Sequence, residues 1–168
     1  KGIKSVFVSS DCPEIGKIAK EYGAEWIIRP PELASDTSSE WLAWQHAIRY
    51  VIKKEGNFNC FLSLPATSPL RNIEDIEKGL SALKNNVDLV VSMVKSKRSP
   101  WFNMVTKYND ENIKLLMNDT SISRRQDSPL CYDLTTAFYV GRTEFILNTN
   151  NFWEGKIIGV EIPEERAI

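Results

Sequence analysis

Three times between Val6 and Val94 a short apolar run gives way to a polar loop and then to helical spacing, and a fourth run closes the series. That alternation constrains the fold more than any other feature, because strands joined by crossover helices pair in parallel and need cover on both faces. Val6 to Ser9 is a β-branched run suited to a buried strand. Asp11 can cap the next helix, with Pro13 in its first turn and Glu14 near its positive end. Ile15, Ile18, Ala19 and Tyr22 then fall at spacings of three and four, which predicts one apolar helix face toward the core. Gly23 stops that helix, and Glu25 to Ile28 reads as the second strand.

A second helix starts near Ser38 or Ser39, with apolar positions Trp41, Trp44, Ala47, Ile48 and Val51 at three-four spacing, of which Trp41 and Trp44 read as core or interface. Asn57 to Leu64 returns to strand, Ile73, Ile76, Leu80 and Leu83 mark a third helix, and Asp88 to Val94 is the next strand. The fold class is therefore α/β, a mainly parallel sheet with helices on both faces. After Lys95 the rhythm changes. Phe102 to Tyr108 and Ile113 to Met117 flank Asn109-Asp110-Glu111-Asn112, a plausible hairpin turn. Leu134 to Val140 resumes a strand, Thr143 to Asn148 a short helix, and Lys156 to Ile162 a last strand. No repeat or linker divides the chain, and residues 1–168 read as a single domain.

Charge excludes some partners. Lys and Arg total 21 against 22 Asp and Glu, which gives no electrostatic case for nucleic acid or an anionic membrane. No apolar run approaches the roughly 20 residues needed to span a bilayer. Cys12, Cys60 and Cys131 form an odd, widely spaced set without CxxC, which fits a reduced cytoplasm and predicts no structural zinc. His46 is the only histidine, so this sequence holds no His-based triad or multi-His metal site.

Two polar blocks lie where ligands bind in open α/β sheets, beyond the carboxyl ends of strands, and a third comes downstream of them. The first is Arg29-Pro-Pro-Glu-Leu-Ala-Ser-Asp-Thr-Ser-Ser, which carries hydroxyls and backbone N–H groups into a helix N-terminus. An ordinary surface Arg before a capped helix is the simpler reading from spacing alone. The second is Leu64-Pro-Ala-Thr-Ser-Pro-Leu-Arg71, where a plain strand-to-helix turn competes with a hydroxyl-bearing site. The third is Arg124-Arg125-Gln126-Asp127-Ser128-Pro129. A solvated pair of arginines is its common explanation, and bidentate capture of a carboxylate is the functional one. Tyr139, by strand periodicity, is a core aromatic.

These blocks, in this order, resemble the CMP-sialic acid synthetase (acylneuraminate cytidylyltransferase) family over essentially the whole chain. The resemblance implies a nucleotide-diphospho-sugar transferase-like fold whose inserted hairpin joins a homodimer. It also implies that Arg29, Ser38 and Ser39 bind the nucleotide, and that Thr67, Ser68, Arg125 and Tyr139 bind the sugar. The partners so implied are CTP and an acidic 2-keto-3-deoxy sugar, with Mg²⁺ as cofactor. Departures from the family wording fall on the sugar side. Pro65 and Ala66 stand in place of Gln-Pro, and Thr135-Thr136 stands where family members commonly have Asn-Gly.

No stretch matches the family's glycine-containing phosphate loop with its Arg and Lys. Glu161-Ile-Pro-Glu-Glu-Arg-Ala-Ile168 resembles the lead-in to the acidic segment that binds Mg²⁺, so the chain is expected to be a cytidylyltransferase-like domain incomplete at both ends, with no metal ligands of its own. The expected function is activation of a nonulosonate-type sugar acid by CTP to give a CMP-sugar and pyrophosphate. Two rivals stay open: a truncated, non-catalytic nucleoside- or partner-binding protein of this fold, and a nucleotidyltransferase with another nucleotide or acceptor. The catalytic residues are not legible in the sequence.

Overall fold

The computed structural model describes residues 3–108, 111–119 and 121–167. The Asn109-Asp110 half of the expected hairpin turn lies outside these residues, as do Lys1, Gly2, Thr120 and Ile168. The chain forms two compact units: Lys1–Ser63 with Leu83–Val90 and Val140–Ile158, and Leu64–Ala82 with Val91–Tyr139 and Gly159–Ile168.

The first unit opens with a strand–helix–strand motif. β1 (Phe7–Ser10) and β2 (Glu25–Ile28) pair in parallel, with Phe7 opposite Glu25 and Ser10 opposite Ile28. The helix between them, α1 (Pro13–Glu21), differs from expectation at its start and on its face. Cys12, not Asp11, occupies the N-cap position, and no side chain caps the helix. The Ser10 hydroxyl already accepts the Cys12 N–H at 3.1 Å, and Pro13 has no N–H to satisfy. The buried residues are Gly16 and Ala19, while Ile15, Ile18 and Tyr22 stay exposed. A Cβ at Gly16 would run into the Trp26 ring, so α1 approaches β2 along its small-residue edge. The larger apolar side chains consequently point away from that contact.

α2 (Glu40–Glu55) buries Trp41, Ala43, Trp44, Gln45 and Ile48. Trp44 packs on Phe61 of β3 (Cys60–Ser63) with ring centroids 5.5 Å apart, and Tyr50 meets Phe7 of β1 edge-on at 6.4 Å. β1 and β3 therefore lie against the same helix, yet they belong to separate hydrogen-bonded sheets. α4 (Thr143–Asn148) is held by polar contacts as much as by packing. Gln45 Nε2 donates to the carbonyls of Ile146 and Thr149 at 2.8 and 2.9 Å, and Trp41 Nε1 donates to Thr149 at 2.8 Å. These donors satisfy carbonyls that the end of a short helix leaves without intrahelical partners.

A four-stranded sheet has the order β3–β7–β4–β8, where β4 is Leu89–Lys95, β7 is Tyr132–Arg142 and β8 is Ile157–Glu161. The Arg142 N–H donates to Asp88 O and the Ser96 N–H to Cys131 O, so β7 runs antiparallel to β4. β8 runs parallel to β4, with Asp88 N–H bonded to Lys156 O and Ile162 N–H to Met93 O.

In the second unit α3 (Ile73–Ala82) packs closely on β7. A Cβ at Gly79 would lie 2.5 Å from the Phe138 ring, and Phe138 is fully buried. Asn72 and Asp75 cap the helix reciprocally: Asn72 Oδ1 accepts the Asp75 N–H at 3.0 Å, and Asp75 Oδ2 accepts the Asn72 N–H at 3.4 Å. The fully buried Asp75 carboxylate also accepts from Arg166 Nε and Nη2 at 2.8 and 2.9 Å. Burial pushes the Asp75 carboxyl up, but the Arg166 guanidinium and the Asn72 N–H outweigh it and hold its pKa below the ordinary aspartate value. The expected hairpin is present as β5 (Val105–Lys107) and β6 (Ile113–Leu115), antiparallel, with every residue of both strands exposed.

Two predictions follow from the α3 contacts. Gly79→Ala should destabilise by about 1–3 kcal/mol, because the added methyl has no space against Phe138; an unchanged urea midpoint contradicts this. Asp75→Asn should lower the Tm at pH 7 by about 5–10 °C. The native pKa of Asp75 lies below its unfolded value of about 3.9, so the ion pair stabilises above that pH and fades as pH falls through the native pKa. The Tm gap between the two proteins should close in strong acid, and a gap constant from neutral pH into acid refutes the ion-pair account.

Candidate functional site

The residues expected to bind nucleotide lie in the first unit. Arg29 leaves the end of β2 and is half-buried. Its Nε donates to Ser9 Oγ at 3.2 Å and its Nη2 to Ser9 O at 2.6 Å, which fixes the guanidinium against β1 and leaves part of its five-donor fork for a ligand. Ser38 is a loop-closing residue. Its hydroxyl donates to Glu32 O at 2.9 Å, accepts the Ser35 N–H at 3.2 Å and lies 2.7 Å from Ser35 Oγ. Ser39 is the N-cap residue of α2 by backbone conformation, makes no side-chain cap and is exposed, which leaves the first N–H groups of α2 without a side-chain cap from it. Glu40, also exposed, begins the helix.

The residues expected to bind the sugar lie in the second unit. Arg71 folds back over the Pro65–Arg71 loop, with Nε donating to Ser68 O at 2.7 Å and Nη2 donating to Pro65 O. It is a structural clamp. Inside that loop Ser68 is fully buried and Thr67 is exposed. Both meet Thr136 of β7: Ser68 Oγ lies 2.6 Å and Thr67 Oγ1 lies 3.2 Å from Thr136 Oγ1. Sequence reading noted Thr136 only as a departure from Asn-Gly and did not place it in the site. Adjacency to Thr135 was no guide, because the strand turns the two side chains to opposite faces, Thr135 buried and Thr136 exposed.

Arg124 and Arg125 divide their roles. Arg124 makes a bidentate pair with Asp127, at 2.6 and 3.0 Å, so its charge is neutralised locally. Arg125 is exposed, and its guanidinium has no hydrogen bond or ion pair among the described residues, although its carbonyl accepts the Ser128 hydroxyl at 2.7 Å. Tyr139 is half-buried on β7 beside the buried Phe138.

An open hollow of about 530 Å³ lies where β4 and β7 approach the chain's last 3₁₀ turn, Glu164–Arg166. Its lining includes Asp133, Glu164 and Glu165, a set that repels an anionic sugar acid. Among the described residues no three His, Cys, Asp or Glu side chains converge as a metal site. No ligands are assigned among the described residues to the Mg²⁺ that the family resemblance implies, and no chemical step is routed through it. No helix among the described residues is long and apolar enough to cross a membrane.

The cytidylyltransferase family model matches residues 1–155. Post-translational flagellin modification protein B of Campylobacter coli is 30% identical over 98% of this chain and 70% of its own length. CMP-N,N'-diacetyllegionaminic acid synthase of Campylobacter jejuni is 29% identical over the same shares. N-acylneuraminate cytidylyltransferase of Escherichia coli is 26% identical, and the match spans 89% of this chain but 35% of that protein. Among solved structures, a CMP:2-keto-3-deoxy-manno-octonic acid synthetase complexed with CTP superposes with a TM-score of 0.63 at 13% identity, covering 96% of this chain and 73% of that one. 4-Diphosphocytidyl-2C-methyl-D-erythritol synthase from Anaerococcus prevotii superposes at 0.62 and 13% identity, over 98% of this chain and 74% of that one. At such identity these two establish a common fold: α/β, nucleotide-diphospho-sugar transferase-like. This chain belongs to the cytidylyltransferase family, in the group of the CMP-sialic acid synthetases.

Proposed function

We propose that the protein activates a nonulosonate-type sugar acid with CTP, giving a CMP-sugar and pyrophosphate. The anomeric hydroxyl oxygen of the acid attacks the α-phosphorus, the bond from that phosphorus to the bridging oxygen of the β-phosphate breaks, and the hydroxyl proton is released. Such a step depends mainly on positioning and on neutralising charge. Arg29 would hold the nucleoside through the donors not used on Ser9, with Ser38 shaping the loop and Ser39 offering its hydroxyl at the start of α2. Thr67 and Ser68 would hold the sugar body, beside Tyr139.

Arg125 carries the reading. With Arg124 neutralised by Asp127, Arg125 is the exposed cation in that turn, and a guanidinium matches a carboxylate bidentately. The acid-activating activities named for the 29% and 26% identical relatives support a carboxylate-bearing acceptor. Residues 1–168 are read as belonging to one catalytic domain, and the three cysteines, all unpaired, suit a cytoplasmic enzyme.

We also propose a homodimer formed through β5 and β6. A two-stranded hairpin is marginal alone in water. Here Val105, Ile113, Leu115, Leu116 and Met117 are all at least 40% exposed, which favours burial against a second copy.

The direct test is pyrophosphate release by the protein made from its own gene, with CTP and each of N-acetylneuraminic acid, N,N'-diacetyllegionaminic acid and 3-deoxy-manno-octulosonic acid. Turnover with one of them is expected, and Arg125→Ala should raise KM for that acid at least about tenfold, a loss of ~1.4 kcal/mol, with KM for CTP nearly unchanged. Absence of turnover with all three overturns the reading. For the dimer, sedimentation should give twice the chain mass and Leu115→Glu should give a monomer; a monomeric unsubstituted protein contradicts it.

A further inference from the structure

The β4–β7 ladder is irregular beside the acceptor-side hydroxyls. From Cys131 to Arg142 β7 travels eleven residues, against eight from Asp88 to Ser96 on β4, so β7 carries extra residues between those two hydrogen bonds. Such insertions form bulges, which re-aim side chains next to sites. Ser92, fully buried on β4, meets the irregular stretch. Its Oγ accepts the Thr135 hydroxyl at 2.7 Å and the Phe138 N–H at 3.2 Å. Its own O–H is within reach of Thr135 O at 3.1 Å and Phe138 O at 3.2 Å. One serine hydroxyl thus serves backbone groups on both sides of Thr136 and Ala137, groups that a regular ladder would pair with backbone.

Between those anchors stands Thr136, exposed, with its hydroxyl on Ser68 and Thr67. We propose that Thr136 is a specificity-determining residue for the acceptor and that Ser92 is the positioning residue that holds it there. This rests on the function proposed above. Ser68 anchors the cluster from the buried side, while Thr67 and Thr136 face solvent. A hydroxyl has one donor and two acceptor sites, and the contacts to Ser68 and Thr67 occupy two of the three on Thr136. The remaining site, a donor or an acceptor according to the direction of those two contacts, suits a ring hydroxyl or an acylamino group of the sugar acid, either of which offers both partners, while the carboxylate is assigned to Arg125. Neither residue acts on the nucleotide.

The experiment compares KM for the acid and for CTP in the unsubstituted protein, Thr136→Val, Thr136→Ser and Ser92→Ala, using the acid that the protein turns over. Thr136→Val should raise KM for the acid at least about tenfold, with kcat within threefold and KM for CTP within twofold. Thr136→Ser should restore the acid KM to within twofold, since it keeps the hydroxyl. Ser92→Ala, assayed below its measured Tm, should raise KM for the acid while leaving that for CTP unchanged. A purely structural role for Ser92 predicts parallel losses for both substrates, and that result overturns the positioning assignment. An unchanged acid KM in Thr136→Val, beside normal turnover by the unsubstituted protein, overturns the specificity assignment alone. Lack of turnover by the unsubstituted protein removes the proposed function and this inference with it.

Discussion

The hydroxyl of Ser92 bonds backbone groups of β7 beside the place where Thr136 meets Ser68 and Thr67, and the proposed acceptor side rests on that arrangement. A buried backbone group left without a partner costs about 1–3 kcal/mol, and the Ser92 hydroxyl lies within reach of three buried backbone groups of β7, the Thr135 carbonyl and the Phe138 N–H and carbonyl. With Ser92 supplying the bonds, Thr135 stays buried and Thr136 is presented outward. The loop opposite is held by comparable means. Arg71 clamps the carbonyls of Pro65 and Ser68, and Ser68 in turn reaches Thr136. Polar side chains, Ser92, Arg71 and Ser68, therefore hold the small cluster of hydroxyls directly.

The rest of the second unit positions these elements. α3 follows the Thr67-Ser68 loop directly, and it is fixed by the close approach of Gly79 to Phe138 and by the Asp75–Arg166 pair. Phe138 is two residues beyond Thr136 on the same strand, so the helix contact and the hydroxyl cluster share one stretch of β7. In the first unit, Arg29 is held to Ser9 as firmly as Arg71 is held to its loop, but with donors left over. The difference between a clamp and a candidate ligand is in the count of N–H groups already used.

Much of this was legible in the sequence where periodicity and motif agreed. The alternation of strands and helices gave the fold class, the tryptophans of α2, read as core or interface, are buried, and the hairpin followed from its two short apolar runs. The face of α1 was misread because large side chains dominate a spacing argument, whereas the observed contact is made by Gly16 and Ala19 against Trp26. Asp11 was misread as a cap because the competing hydroxyl of Ser10 lies upstream of the helix, outside the capping pattern. Asp75 and Arg166 are far apart in sequence, and nothing local announces that they meet. Ser92 and Thr136 were missed for a related reason: a lone serine in an apolar run carries no motif, and strand register across a bulge cannot be counted from one strand.

The central claim is that nucleotide and acceptor are recognised by separate sets of residues. Backbone amide shift perturbation on the ¹⁵N-labelled protein tests it most directly, with CTP and the preferred sugar acid added in turn. The account predicts that CTP moves the resonances of Arg29 and Ser38 to Glu40, and that the acid moves those of Thr67, Ser68, Arg125, Thr136 and Tyr139. Perturbation of one common set by both ligands, or of neither set by its assigned ligand, contradicts it.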